Sequence, residues 1–127
     1  QILAALFVDD IALRQEAGPT TRIDLTGVQF SVPAPQPPPV TLTPHLVVLV
    51  HNPVGAKPQG ALEVVFRRDG EQIARNVQVL DVEPGKFNYR LVRAELAFDE
   101  PGTVEAHCRL DMGPVTVVPF TLLPPLG

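Results

Sequence analysis

Nucleophilic chemistry in this chain would have to come from Ser31 or Cys108, the only serine and the only cysteine. An activated nucleophile needs an accessible position and a base within reach, and neither residue has that setting. Ser31 stands between Phe30 and Val32, which reads as a polar position on a strand face. Cys108 falls on the inward parity of Val104, Ala106 and Leu110, which predicts a small buried hydrophobe rather than a thiolate. The imidazoles His45, His51 and His107 do not form a metal set either. His45 and His51 would share a strand face, but at about 3.3 Å per residue they stand roughly 20 Å apart. His107 adjoins Cys108, and neighbouring strand residues point to opposite faces. The sequence therefore predicts a chain that is not an enzyme.

Carboxylates gather where the pattern predicts turns: Asp9-Asp10, Asp69, Asp99-Glu100 and Asp111. In a β-sandwich the loops at one end can converge to offer calcium the roughly six to eight oxygens it takes. Asp9, Asp10, Asp99 and Glu100 are the first candidates for such a site. The plainer reading is that Asp favours turns because its side chain mimics a backbone turn. No glycine-rich phosphate loop is present, and no cofactor is expected. Pro35 to Pro38 matches a P-x-x-P ligand, but the strands predicted on both sides favour a rigid crossover. Tryptophan is absent, which removes the usual stacking platform for sugars and single strands; Phe7, Phe30, Phe66, Phe87, Phe98 and Phe120 read as core.

The elements that must carry these residues are strands. Apolar residues make up 45% of the 127 and charged residues only 19%, so the 15 prolines and 9 glycines signal turns within a packed chain rather than disorder. Ile2 to Val8 reads as a buried strand ending at Asp9-Asp10, and Ile11 to Ala17 as one or two helical turns closed by Gly18-Pro19. Arg22 to Val32 changes phase at Gly27, where a β-bulge or bend is expected. Pro33 to Pro39 is expected as extended polyproline II crossing between sheets. Leu42 to His51 reads as a mid-sheet strand covered on both faces, followed by a loop from Asn52 to Gly60.

Leu62, Val64 and Phe66 oppose Glu63 and Arg67, and Asp69-Gly70 is the hairpin turn into Gln72 to Val82. Phe87, Tyr89 and Leu91 take one parity while Val92, Ala94, Leu96 and Phe98 take the other, which predicts either a bulge or a break near Leu91-Val92. Val104, Ala106, Cys108 and Leu110 alternate with Thr103, Glu105, His107 and Arg109. Asp111 to Pro114 then turns into Val115 to Leu123, with Val118, Phe120 and Leu122 inward. Pro119 lacks a ladder donor and places this last strand at an edge, at least around that residue. The sum is an all-β single domain over residues 1–127, an antiparallel sandwich of seven to nine strands with immunoglobulin-like or jelly-roll connections.

The segment Ala4-Ala5-Leu6-Phe7-Val8-Asp9-Asp10, then Gln15-Glu16, then Leu25-Thr26-Gly27-Val28, resembles an uncharacterised bacterial family of small β-sandwich proteins. Its Pro-Gly hairpin matches Glu100-Pro101-Gly102 to Leu110. The resemblance implies the fold and carries over no catalytic residue.

A formal charge of −4 speaks against nucleic acid, which needs a basic patch. A lone cysteine forms no intrachain disulfide. Leu46 to Val50, like the longer Ile2 to Val8, is too short an apolar run to span a membrane, and no leader pattern opens the chain, so a cytoplasmic location is expected. What remains is an interaction or structural module that meets a protein partner or its own copies through a sheet face or edge. Val115, Val117 and Pro119 are the interface candidates. The alternative is a sandwich that holds calcium or a small molecule in its end loops.

Overall fold

The computed structural model describes residues 1–15 and 21–126. Among these the chain forms eleven strands and no helix: β1 (Ile2–Gln15), β2 (Thr21–Gln29), β3 (Ser31–Pro33), β4 (Val40–Leu42), β5 (His45–His51), β6 (Gln59–Arg68), β7 (Glu71–Asp81), β8 (Phe87–Arg93), β9 (Leu96–Phe98), β10 (Gly102–Leu110) and β11 (Val115–Leu123). One sheet has the order β2-β1-β5-β8, a second β3-β11-β10-β6-β7, and β4 pairs β9. All pairings are antiparallel except β3 on β11. The all-β sandwich is as the alternation predicts. The strand count exceeds seven to nine because β3, β4 and β9 are three-residue pieces too short to show a period.

The inward faces of the two large sheets meet in one core. Phe7, Leu46, Val48 and Val92 come from the first, and Leu62, Val64, Val104, Ala106, Cys108, Phe120 and Leu122 from the second. Phe7 and Phe120 meet edge to face with centroids 5.1 Å apart, the arrangement that ring quadrupoles favour. Leu96 and Phe98 of β9 join the same core. Phe30 and Phe87 do not: they are 66% and 58% exposed, correcting the assignment of all six phenylalanines to the interior.

β1 does not end at Asp9-Asp10. Ile11 to Gln15 continues it instead of turning into a helix, while Glu16 and Ala17, with Gly18-Pro19, lie outside the described residues. Cross-strand pairing overrides local propensity: Ile11 faces Leu25 and Leu13 faces Ile23, and Arg14 reaches Asp24 at 2.8 Å. At Gly27 the register is unchanged, with Val8 opposite Val28 and Asp10 opposite Thr26, so the irregularity is a bend and not a bulge. Gly27 has φ +66°, a conformation glycine adopts without a Cβ penalty. A Cβ there would also overlap the Asp9 carboxylate.

The bend returns the hairpin over the outer face of the four-stranded sheet. On a straight strand Leu13 would lie roughly 33 Å from Leu3, yet both line one groove with Ile23, Leu49, Phe87 and Tyr89. Val8 and Val47, which point away from the core cluster, are 1% exposed, so β5 is covered on both faces as its apolar run requires.

Four expectations shift. Gln59 and Gly60, expected in the loop, open β6 and pair with Asp81 and Leu80. Leu42 belongs to β4, and Thr43-Pro44 separates it from β5. β8 stays in register from Phe87 to Arg93, so the break falls at Ala94-Glu95. The Phe87, Tyr89, Leu91 parity is the sheet's outer face, and Asn88 and Arg90 on the other parity reach β7. Residues 35–39 form bends with a cis Pro38–Pro39 peptide rather than a continuous polyproline rod. This segment still carries the chain from β3 in one sheet, by way of β4, to β5 in the other.

Candidate functional site

β11 enters the sheet from a turn that is fastened to β6. Asp111, at φ 51°, donates its N–H to the Ala61 carbonyl at 2.8 Å and accepts the Ala61 N–H on Oδ1 at 2.9 Å. Gly60 leaves room for this clasp, since a Cβ there would sit 2.9 Å from Asp111 Oδ2.

The direction of each peptide group along β11 follows from two contacts. The Thr121 N–H donates to the Phe30 carbonyl at 3.1 Å, and the Leu123 carbonyl accepts from the Ala34 N–H at 2.9 Å. Both lie on the side away from β10. Alternation then turns the backbone groups of Val115, Val117 and Pro119 the same way, while Thr116, Val118 and Phe120 pair with β10. β3 covers this side only from Thr121 to Leu123. Val115 to Pro119 is therefore a free strand edge among the described residues, with N–H donors at Val115 and Val117 and acceptors at all three positions. The side chains of Val115 and Val117 are 52% and 45% exposed. All three interface candidates thus fall on one face of one open edge.

Beside that edge the outer face of the five-stranded sheet is charged. Glu63 accepts from Arg75 Nε and an Arg75 terminal nitrogen at 2.9 and 2.8 Å and lies 3.5 Å from Arg109. The Arg75 hydrogen bonds, with the neighbouring guanidinium charges, hold the Glu63 carboxyl below the usual carboxylate range. His107 Nε2 lies 3.3 Å from Glu105. The opposite edge of this sheet, β7, exposes Val77 and Val79, and two carbonyls at its C-terminal end are engaged. Asn88 Nδ2 donates to the Asp81 carbonyl at 3.0 Å and Arg90 to that of Val79 at 3.4 Å. The β2 edge carries Arg22 and Asp24 in an ion-pair cluster with Arg14, a charged surface of the kind that deters pairing.

The calcium candidates are not brought together. No group of three or more His, Cys, Asp or Glu side chains able to hold a metal occurs among the described residues. Asp9 and Asp10 are successive residues of a strand instead of a loop, so they point to opposite faces. Asp9 accepts a hydrogen bond from the Gln29 amide, and Asp10 accepts the Ile11 N–H at 2.8 Å. Asp99 and Glu100 line a separate cleft with Arg68, Asp69 and Thr103.

Ser31 is exposed at the start of β3. Cys108 is fully buried, and burial pushes its thiol up to about 11, which leaves it protonated at neutral pH. His45 and His51 sit at opposite ends of β5, and the His51 ring packs on Phe87 at 4.6 Å. One feature lay beyond sequence reasoning: the apolar groove of about 480 Å³ beneath the hairpin. The only signal for it was the Phe87, Tyr89, Leu91 parity.

Among the described residues no helix is long and apolar enough to cross a membrane. No family model, no curated protein and no solved structure matches the chain.

Proposed function

We propose that this chain is a non-enzymatic interaction module that engages a protein partner through the β11 edge. The observation that carries the reading is the run Val115 to Pro119, which presents backbone donors and acceptors unpaired among the described residues, under exposed valines. A strand added there would gain ladder hydrogen bonds and bury apolar surface together, the usual economy of strand addition. The β7 edge is capped at Val79 and Asp81 and the β2 edge is charged, whereas Val115 to Pro119 combines outward backbone groups with exposed valines.

The finer fold reading is immunoglobulin-like. A short strand running parallel to the last strand, with the first strand antiparallel in the other sheet, supports it. The opening Ala4 to Asp10 segment and the Leu25 to Val28 motif support affiliation with the uncharacterised bacterial β-sandwich family.

The test is recovery of tagged protein from its native cells. Wild type, cross-linked in the cells before lysis so that weak association survives dilution, is expected to bring a stoichiometric companion, either a second protein or an untagged copy of itself. Val117→Pro and Val117→Arg should lose that companion while keeping the wild-type melting temperature. A companion retained by both folded variants, or none at all, contradicts the reading.

A further inference from the structure

We propose that the occupant of the β11 edge is a second copy of this chain, paired antiparallel about a two-fold axis through Val117; this rests on the edge reading above. The free window runs from Val115, just after the Asp111–Pro114 turn, to Pro119, just before β3 takes over at Thr121. Val117 is its centre, so the window is its own complement under a two-fold rotation. Val117 faces Val117 of the second copy as a hydrogen-bonded pair, and Val115 faces Pro119. Each Val115 N–H meets a Pro119 carbonyl. The missing Pro119 donor removes one bond per side and leaves roughly four across the junction.

Side chains and charges fit the same register. Val115, Val117 and Pro119 lie on the outer face with the partners they oppose on β10: Arg109, His107 and Glu105. Across the junction the first row then reads Glu63, Arg109, Val115, and in the second copy Pro119, Glu105, Arg67. Arg109 and the Glu105 of the second copy stand in one row three strand spacings apart, roughly 14 Å, with an apolar step between them, and the two-fold repeats that row in reverse. No like-charged pair meets at the seam, because the middle row places Val117 against itself with each His107 beside its own Glu105. A parallel arrangement lacks this complementarity, and pairing on β7 meets the Asn88 and Arg90 caps. An edge this short sits below the standard interface size, so association belongs in the range of roughly 10 µM to 1 mM.

Sedimentation velocity of the purified chain from roughly 1 µM to 1 mM should show a monomer–dimer equilibrium. Val117→Pro removes a donor that points away from β10 and leaves the β10–β11 ladder intact. Val117→Arg keeps the backbone and sets like charges against each other. Each, with its melting temperature retained, should weaken association by at least roughly tenfold, and Val77→Arg on the opposite edge should not. Val117→Cys should close an intermolecular disulfide on oxidation, since facing Cα atoms in such a pair are about 5.5 Å apart. Val115→Cys should not, being about 13 Å along the strand from its own counterpart.

A dimer indifferent to both Val117 variants overturns the proposal. So does a wild type that stays monomeric throughout without cross-linking through Val117→Cys. If Val117→Pro nonetheless strips a companion from cell extract, only the second copy is wrong and the edge reading stands; if there is no companion either, both fall.

Discussion

Two residues set where the first hairpin bends, and neither acts alone. Gly27 adopts positive φ and leaves space that the Asp9 carboxylate occupies. Gly27→Ala should therefore cost about 1–3 kcal/mol in denaturant melts, and less in an Asp9→Ala background, because the clash is gone and only the φ penalty remains. Equal costs in both backgrounds would contradict this coupling. Cys108 gives the second residue-scale test. Fully buried and held as a thiol, it should resist a thiol reagent at pH 7 in the native protein and react as one equivalent per chain in denaturant. Fast native reaction would place it at the surface. Its inward parity was legible because β10 alternates without interruption. The partnership of Asp9 with Gly27 was not, because it depends on which residues the hairpin sets opposite each other.

Strand pairing decides what single segments leave open. The Asp69-Gly70 turn was legible at once: both residues take positive φ, the type I′ geometry that matches strand twist. Ile11 to Gln15 was not, because two apolar residues suit a short helix as well as a strand until Leu25 and Ile23 are set opposite them. On the five-stranded sheet, Glu63 ties β6 to β7 through Arg75 and to β10 through Arg109. Its lowered pKa means the unfolded chain takes up this proton at a higher pH than the folded one. The contribution is thus present above the ordinary value of 4.5 and is lost as pH falls through the lower folded value. Thermal melts should show wild type losing stability through that acid window and Glu63→Gln losing less. Parallel profiles for the two proteins would remove Glu63 from the account.

At the scale of the whole molecule, the two sheets are held by a core whose inward residues were largely readable from period-two alternation. Phe7 and Phe120 stitch the sheets together, and Phe7→Ala should cost about 3–5 kcal/mol by cavity formation, measured as a shift in the denaturant midpoint. A cost below about 1 kcal/mol would mean that this corner of the core is loosely packed. The sandwich was legible, and so was the edge character that Pro119 gives β11. The groove beneath the hairpin and the dispersal of the acidic residues were not, because both depend on how strands bend and stack rather than on any local pattern. The calcium candidates scatter for that reason.

The edge itself can be read amide by amide. Hydrogen exchange resolved at single residues should show the Val118 amide, bonded to β10, protected at every protein concentration. The Val117 amide, pointing outward, should exchange freely in dilute protein and gain protection as concentration rises. A Val117 amide that remains unprotected in concentrated protein and in the companion-bound state would contradict a working β11 edge.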